Sequence, residues 1–221
     1  MTLQAPFRFD IVGSFLRPDR IKEARARFVR GEIAALDLKQ VEDEEIARLI
    51  EKQKAAGLHT ITDGEFRRSY WHLDFFWGFQ GITHIELEHG YQFHGEETTR
   101  GTAIVTGKIG GENDPFVEHF KYVKGFEDDD TLARQTMPAP AQLLAELYRG
   151  DNGKITDAVY PDREELLQDI AAAYRQVIRD LYHAGCRNIQ FDDCTWGMFC
   201  DTEYWNKRQK GAVSLKAIAE E

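Results

Sequence analysis

The sequence has 221 residues, with 28 Lys+Arg against 38 Asp+Glu for a formal net charge of −10, 42% hydrophobic residues, 18 Gly and 6 Pro. That balance excludes disorder as the main state, and with no basic run longer than Lys207-Arg208 it leaves no electrostatic footprint for nucleic acid or an anionic membrane. No stretch approaches the ~18 uninterrupted apolar residues of a spanning helix, and the opening residues lack the basic and apolar regions of a secretion signal, so a cytoplasmic protein is expected.

The predicted elements alternate. A β-rich run over residues 7–12 leads into Gly13-Ser14, and Pro18 opens a helix over 19–28. Asp37 followed by Gln40 reads as a capping box for a second helix, whose face is marked by Val41, Ile46, Leu49 and Ile50 and whose stop is Ala56-Gly57. A strand over 59–62 then delivers Asp63-Gly64-Glu65. The aromatic stretch 70–77 follows, and residues 83–101 read as an inserted hairpin turning near His89-Gly90. Further strands are predicted over 103–109 and 134–137, the latter running into Pro138-Ala139-Pro140 and a helix over 141–148. The Pro161-Asp162 start and the spacing of Leu166, Ile170, Tyr174, Val177 and Leu181 mark a long helix closed by Ala184-Gly185. A last strand over 187–191 delivers Asp192-Asp193-Cys194.

Five strand-helix beginnings without a linker predict a single α/β domain over 1–221 with a parallel sheet. No glycine-rich dinucleotide fingerprint or P-loop is present, which favours a (β/α)8 TIM barrel over a doubly wound sheet. In both architectures function gathers at the carboxyl ends of strands, where Gly13-Ser14, Glu65 and Asp192 fall. The two carboxylates suit an ammonium ligand or a general acid-base pair; capping of the following helix is an equally good reading from position alone. Asp63 and Asp193, one step away, read as structural. Gly13-Ser14 offers exposed N–H groups and a hydroxyl to an anion. Trp71 lies in an aromatic run that either stacks on a flat heterocycle or packs at a barrel rim.

Metal ligation finds little support. His84, His89 and His94 recur every five residues, a spacing that alternates faces on a strand, and Cys194 and Cys200 are too widely spaced for a zinc knuckle. These cysteines and Cys186 read as reduced thiols.

Four ordered motifs carry a resemblance: Val12-Gly13-Ser14-Phe15-Leu16-Arg17-Pro18, Ile61-Thr62-Asp63-Gly64-Glu65, Pro138-Ala139-Pro140-Ala141-Gln142-Leu143-Leu144, and the run from Gly185 through Asp192-Asp193-Cys194 to Trp196. Together they resemble the cobalamin-independent methionine synthase family, in particular its short single-barrel bacterial members. The resemblance implies a TIM barrel that transfers a methyl group from a methyltetrahydrofolate, often polyglutamylated, to homocysteine, whose thiolate is held by zinc. By motif, Val12, Gly13 and Ser14 would hold the homocysteine carboxylate and Glu65 with Asp192 its ammonium. Trp71 and Asp193 are candidates for the folate side. The family's zinc ligands, a His-x-Cys pair, a Glu and a last Cys, follow the Asp192 motif; they have no counterpart here, and Asp193-Cys194 replaces the more usual Glu-Pro. The chain therefore corresponds to about the first five of eight βα units, is expected to be inactive alone, and is expected to associate with another copy or a completing fragment. The alternatives are a non-catalytic half barrel, alkyl transfer to a different thiol, and a glycosidase using Glu65 and Asp192.

Overall fold

The computed structural model describes residues 12–90, 92–93 and 95–200. The strand predicted over 7–12 lies outside these residues except for Val12, as does His94. Pro18 precedes helix α1 (Asp19–Val29), which buries Ile21 and Ala24. Helix α2 (Ala35–Ala55) starts two residues before the predicted box, and Asp37 sits inside its first turn with its carboxylate accepting the Ala34 N–H at 2.8 Å. The carboxylate satisfies an orphan donor at the helix start, so the local chemistry is that of a cap although the box was placed too late.

Strand β1 (Thr60–Ile61) follows, then the short helix α3 (Leu73–Phe76) and strands β2 (Gln80–Glu86), β3 (Gln92–Phe93), β4 (Glu96–Glu97) and β5 (Gly101–Gly110). After these come helix α4 (Pro115–Lys124), strands β6 (Leu132–Ala133) and β7 (Gln135–Pro138), helices α5 (Pro140–Leu147), α6 (Asn152–Val159) and α7 (Arg163–His183), strand β8 (Ile189–Asp192) and a 3-10 turn at Thr195–Cys200. Asp162 caps α7 by accepting the Glu164 N–H at 2.9 Å. Asp114 does the same for α4, with Pro115 in the first turn.

The parallel strands lie in the order β1, β6–β7, β8. Thr60 and Ile61 pair with Leu132 and Ala133, and the register from Gln135–Ile189 to Pro138–Asp192 joins β7 to β8. Only Arg134 separates β6 from β7, and its N–H donates to the Ile61 carbonyl at 2.9 Å, so residues 132–138 act as one central strand. Parallel strands need covered faces. Ile61, Ala133 and Met137 are fully buried, and a herringbone of Phe75, Phe79, Phe116 and Tyr174 with ring centroids 5.0–5.5 Å apart packs nearby.

One predicted strand has another role. Residues 103–109 belong to β5, which pairs antiparallel with β2 from Ile82–Val105 to Glu86–Gly101. A β-branched run reads the same in either sense, because pairing direction is set by the partner strand and not by composition. Of the five predicted beginnings, three are parallel strands among the described residues, one lies outside them, and this one is a hairpin arm. The hairpin's inner turn also differs from the expectation near His89-Gly90: the β3–β4 ladder, Gln92–Glu97 and Phe93–Glu96, places it at Gly95, whose φ is +88°. Among the described residues no helix is long and apolar enough to cross a membrane.

Candidate functional site

The chain leaves β1 through a tight turn. Gly64 donates its N–H to the Thr62 hydroxyl at 3.1 Å and Glu65 donates its own to Asp63 Oδ1 at 2.8 Å. Gly64 has φ +62°, and a Cβ there would collide with the Leu49 side chain, so conformation and packing both favour glycine. Glu65 has φ +59°, a left-handed conformation that a residue other than glycine adopts at a cost its surroundings must offset.

Those surroundings are polar and specific. Glu65 is only 2% exposed. Its Oε2 accepts the Ser14 hydroxyl at 2.5 Å, and its Oε1 faces Arg68 Nη1 at 3.3 Å. Burial pushes the Glu65 carboxyl pKa up; the Arg68 charge and the Ser14 hydrogen bond oppose the rise, while Asp63 and Asp192 reinforce it, and the net direction is upward. Neither oxygen caps a helix.

Asp192 is the last residue of β8. Its carbonyl accepts the Ala139 N–H at 3.0 Å, which ties the ends of β7 and β8 together. Its Oδ1 accepts Gln190 Nε2 at 2.8 Å, whereas its Oδ2 is buried and accepts no hydrogen bond from the described residues. Asp193 accepts the Thr195 N–H at 2.8 Å and hydroxyl at 2.6 Å, so it opens the 3-10 turn.

A cavity of about 570 Å³ joins these groups. Val12, Gly13, Ser14, Glu65, Trp71, Asp192 and Asp193 all line it, which brings together the residues that the resemblance assigns to the two substrates. Gln190, Phe191 and Cys194 complete the lining. The lining combines the carboxylates Glu65, Asp192 and Asp193 with the apolar Val12, Trp71 and Phe191, a mixture suited to a small molecule with a cationic head and an apolar body. Sequence reasoning missed Arg68, which lies next to the equally basic Arg67 and has no local signature.

Cys194 is exposed at the cavity, and burial of its sulfur together with Asp192 and Asp193 raises its thiol pKa, which opposes a thiolate. Cys186 is buried and its thiol is likewise raised. Among the described residues no group of three His, Cys, Asp or Glu side chains is arranged to hold a metal ion, so the donor set that zinc requires is not formed by them.

The family model for the catalytic domain of cobalamin-independent synthases matches residues 8–219, and the chain belongs to that family. Two Bacillus subtilis relatives, the uncharacterized proteins YxjH and YxjG, are 40% and 38% identical over 89% and 96% of this chain, and the matches cover 50% and 53% of their own lengths. A Saccharolobus solfataricus protein named methionine synthase is 26% identical over 94% of this chain and 60% of its own. Among solved structures, a Listeria monocytogenes protein assigned as a vitamin B12-independent methionine synthase superposes with a TM-score of 0.71 at 37% identity, covering 95% of this chain and 63% of that one. The chain thus spans about half the length of the curated relatives it matches.

Proposed function

We propose that the cavity binds the amino-acid end of a homocysteine-like thiol, with the ammonium between Glu65 and Asp192 and the carboxylate against the backbone N–H groups of Gly13 and Ser14, the Ser14 hydroxyl being engaged by Glu65. The observation that carries this reading is Asp192 Oδ2, a buried carboxylate oxygen without a donor among the described residues, on a residue that lines the same cavity as Glu65. A buried anionic oxygen is costly unless paired, and an ammonium supplies both charge and donors. The full protein is read as an S-methyltransferase taking its methyl group from a methyltetrahydrofolate, with Trp71 and Asp193 on the folate side and the parallel strands forming part of a TIM barrel. The thiol activation that zinc would supply has no donor set among the described residues, so what these residues do is bind and orient the substrate. As an acid-base pair for glycoside cleavage the two carboxylates would leave the Gly13-Ser14 turn without a role.

Calorimetric titration of the chain with L-homocysteine under reducing conditions tests the reading. Saturable binding that is lost when the ligand's amine is acylated is expected. Equal binding of the acylated ligand, or no binding of either, would overturn it.

A further inference from the structure

The segment from Glu65 to Trp71 carries one acidic and one aromatic residue of the cavity, and arginines grip its backbone. Arg17 donates to the Glu65 carbonyl at 3.1 Å, and Arg25 donates to the carbonyls of Phe66 and Arg68 at 2.6 and 2.7 Å. Arg68 is different from both, because its own side chain turns inward. It is 1% exposed, with its guanidinium carbon 4.6 Å from the centre of the Phe116 ring. Its Nη1 donates to the Trp71 carbonyl at 3.0 Å and faces Glu65 Oε1 at 3.3 Å. Its Nη2 donates to the Thr136 carbonyl at 2.6 Å and hydroxyl at 2.8 Å.

We propose that Arg68 is the positioning residue of this cavity: it aims the Glu65 carboxylate at the ligand's ammonium and ties the segment bearing Glu65 and Trp71 to β7. The inference rests on the ammonium reading given above. A guanidinium suits the task because its planar fork can hold a carboxylate, a carbonyl and a hydroxyl from three directions at once, which an ammonium on a flexible stem cannot. The left-handed Glu65 backbone gains its support from the same contacts: Arg17 holds its carbonyl, Ser14 and Arg68 hold its two carboxylate oxygens, and Asp63 holds its N–H. Arg68 touches no atom of the ligand in this arrangement and acts through Glu65 and Trp71.

Several charges surround the Glu65 carboxylate. Asp63 and Arg68 face it from its own segment, Asp192 from β8, and Arg17 from the stretch before α1. Arg25 of α1 reaches the neighbouring carbonyls, and Asp114 at the cap of α4 and His119 within it interact electrostatically with Arg68. Removing Arg68 leaves a cluster of carboxylates in which Glu65 has lost its nearest cation.

The test pairs a titration with a double-mutant cycle on the 221-residue chain. In carboxyl-labelled NMR, Arg68→Met is expected to raise the Glu65 midpoint by about 1–3 pH units, the usual effect of losing an opposite charge at this distance, and Arg68→Lys by less. With L-methionine as probe, Arg68→Met is expected to weaken binding about tenfold or more in the native background, and by no more than about twofold when Glu65→Gln is already present. An unmoved Glu65 titration, or the same fold-loss on both backgrounds, would make Arg68 structural only and overturn the proposal. Arg68→Lys and the double variant leave no unpaired buried carboxylate at position 65, so they report even if Arg68→Met alone unfolds. If Glu65→Gln by itself leaves binding unchanged, the ammonium reading fails, while the titration still judges Arg68.

Discussion

The Ser14 hydroxyl donates to Glu65 Oε2 at 2.5 Å, joining residues 51 positions apart in the chain. This contact brings the Gly13-Ser14 turn and the end of β1 to one cavity and stabilises the charged form of a carboxyl that burial pushes toward neutrality. Ser14→Ala therefore raises the Glu65 pKa further. Amino-acid binding should weaken about tenfold, the scale of a hydrogen bond to a charged group, and the loss should be larger at the lower of two pH values because a carboxyl raised further is protonated sooner as pH falls. Titration calorimetry at the two pH values reads this directly, and equal losses at both would contradict it.

Asp192 separates binding from stability. Because its Oδ2 accepts nothing from the described residues, Asp192→Asn removes a buried charge without breaking a hydrogen bond to that oxygen. The variant should unfold at the same temperature as the native chain or higher, while amino-acid binding weakens by about 1.5–3 kcal/mol. Thermal denaturation beside calorimetry checks both halves, and a large drop in melting temperature would assign Asp192 to the scaffold.

Asp114 gives the chain a pH-dependent stability. It caps α4 through Oδ1, but its Oδ2 is buried without a donor among the described residues, and burial pushes its pKa up to about 7. A carboxyl raised on folding stabilises the native state when protonated, and that contribution is lost as pH rises from the unfolded value of 3.8 through about 7. This one group should cost roughly 1.4 kcal/mol per pH unit across that window. Asp114→Asn keeps an oxygen for the Phe116 N–H and carries no charge, so chemical denaturation at several pH values should show a flatter profile and a more stable protein at pH 8. Parallel profiles for the two proteins would refute the assignment.

Among the described residues β8 pairs only with β7, and Phe191 within it and Trp196 after it are 45% and 60% exposed. Leu16 is 96% exposed. A parallel edge with apolar neighbours is a template for further pairing. Light scattering should give a mass above the 25.5 kDa of a single chain, and a monodisperse species of that mass would count against an unprotected edge.

Much of the cavity's lining is legible in the sequence. Gly13-Ser14, Glu65 of the exit from β1 and Asp192-Asp193 of the exit from β8 belong to contiguous motifs, and these residues line the cavity. Capping chemistry was equally legible at Asp37 and Asp162, because a carboxylate meeting an N–H two or three residues away depends on local sequence alone. The helices α4 and α6 went unread although Asp114-Pro115 carries the same kind of local start signal.

What the sequence determined by itself was therefore the alternation of helices and strands, the starts of several helices, and which few residues would stand at strand ends. The tertiary structure alone decided that β5 turns back on β2 and does not join the parallel strands, that Arg68 and not Arg67 is the partner of Glu65, and that Asp114 is buried deeply enough to titrate near neutrality. Each of these depends on groups distant in sequence or on removal from water. Strand direction, the choice between adjacent cations and the desolvation of a carboxyl are properties of what packs around a residue, and no pattern within a few positions of it encodes them.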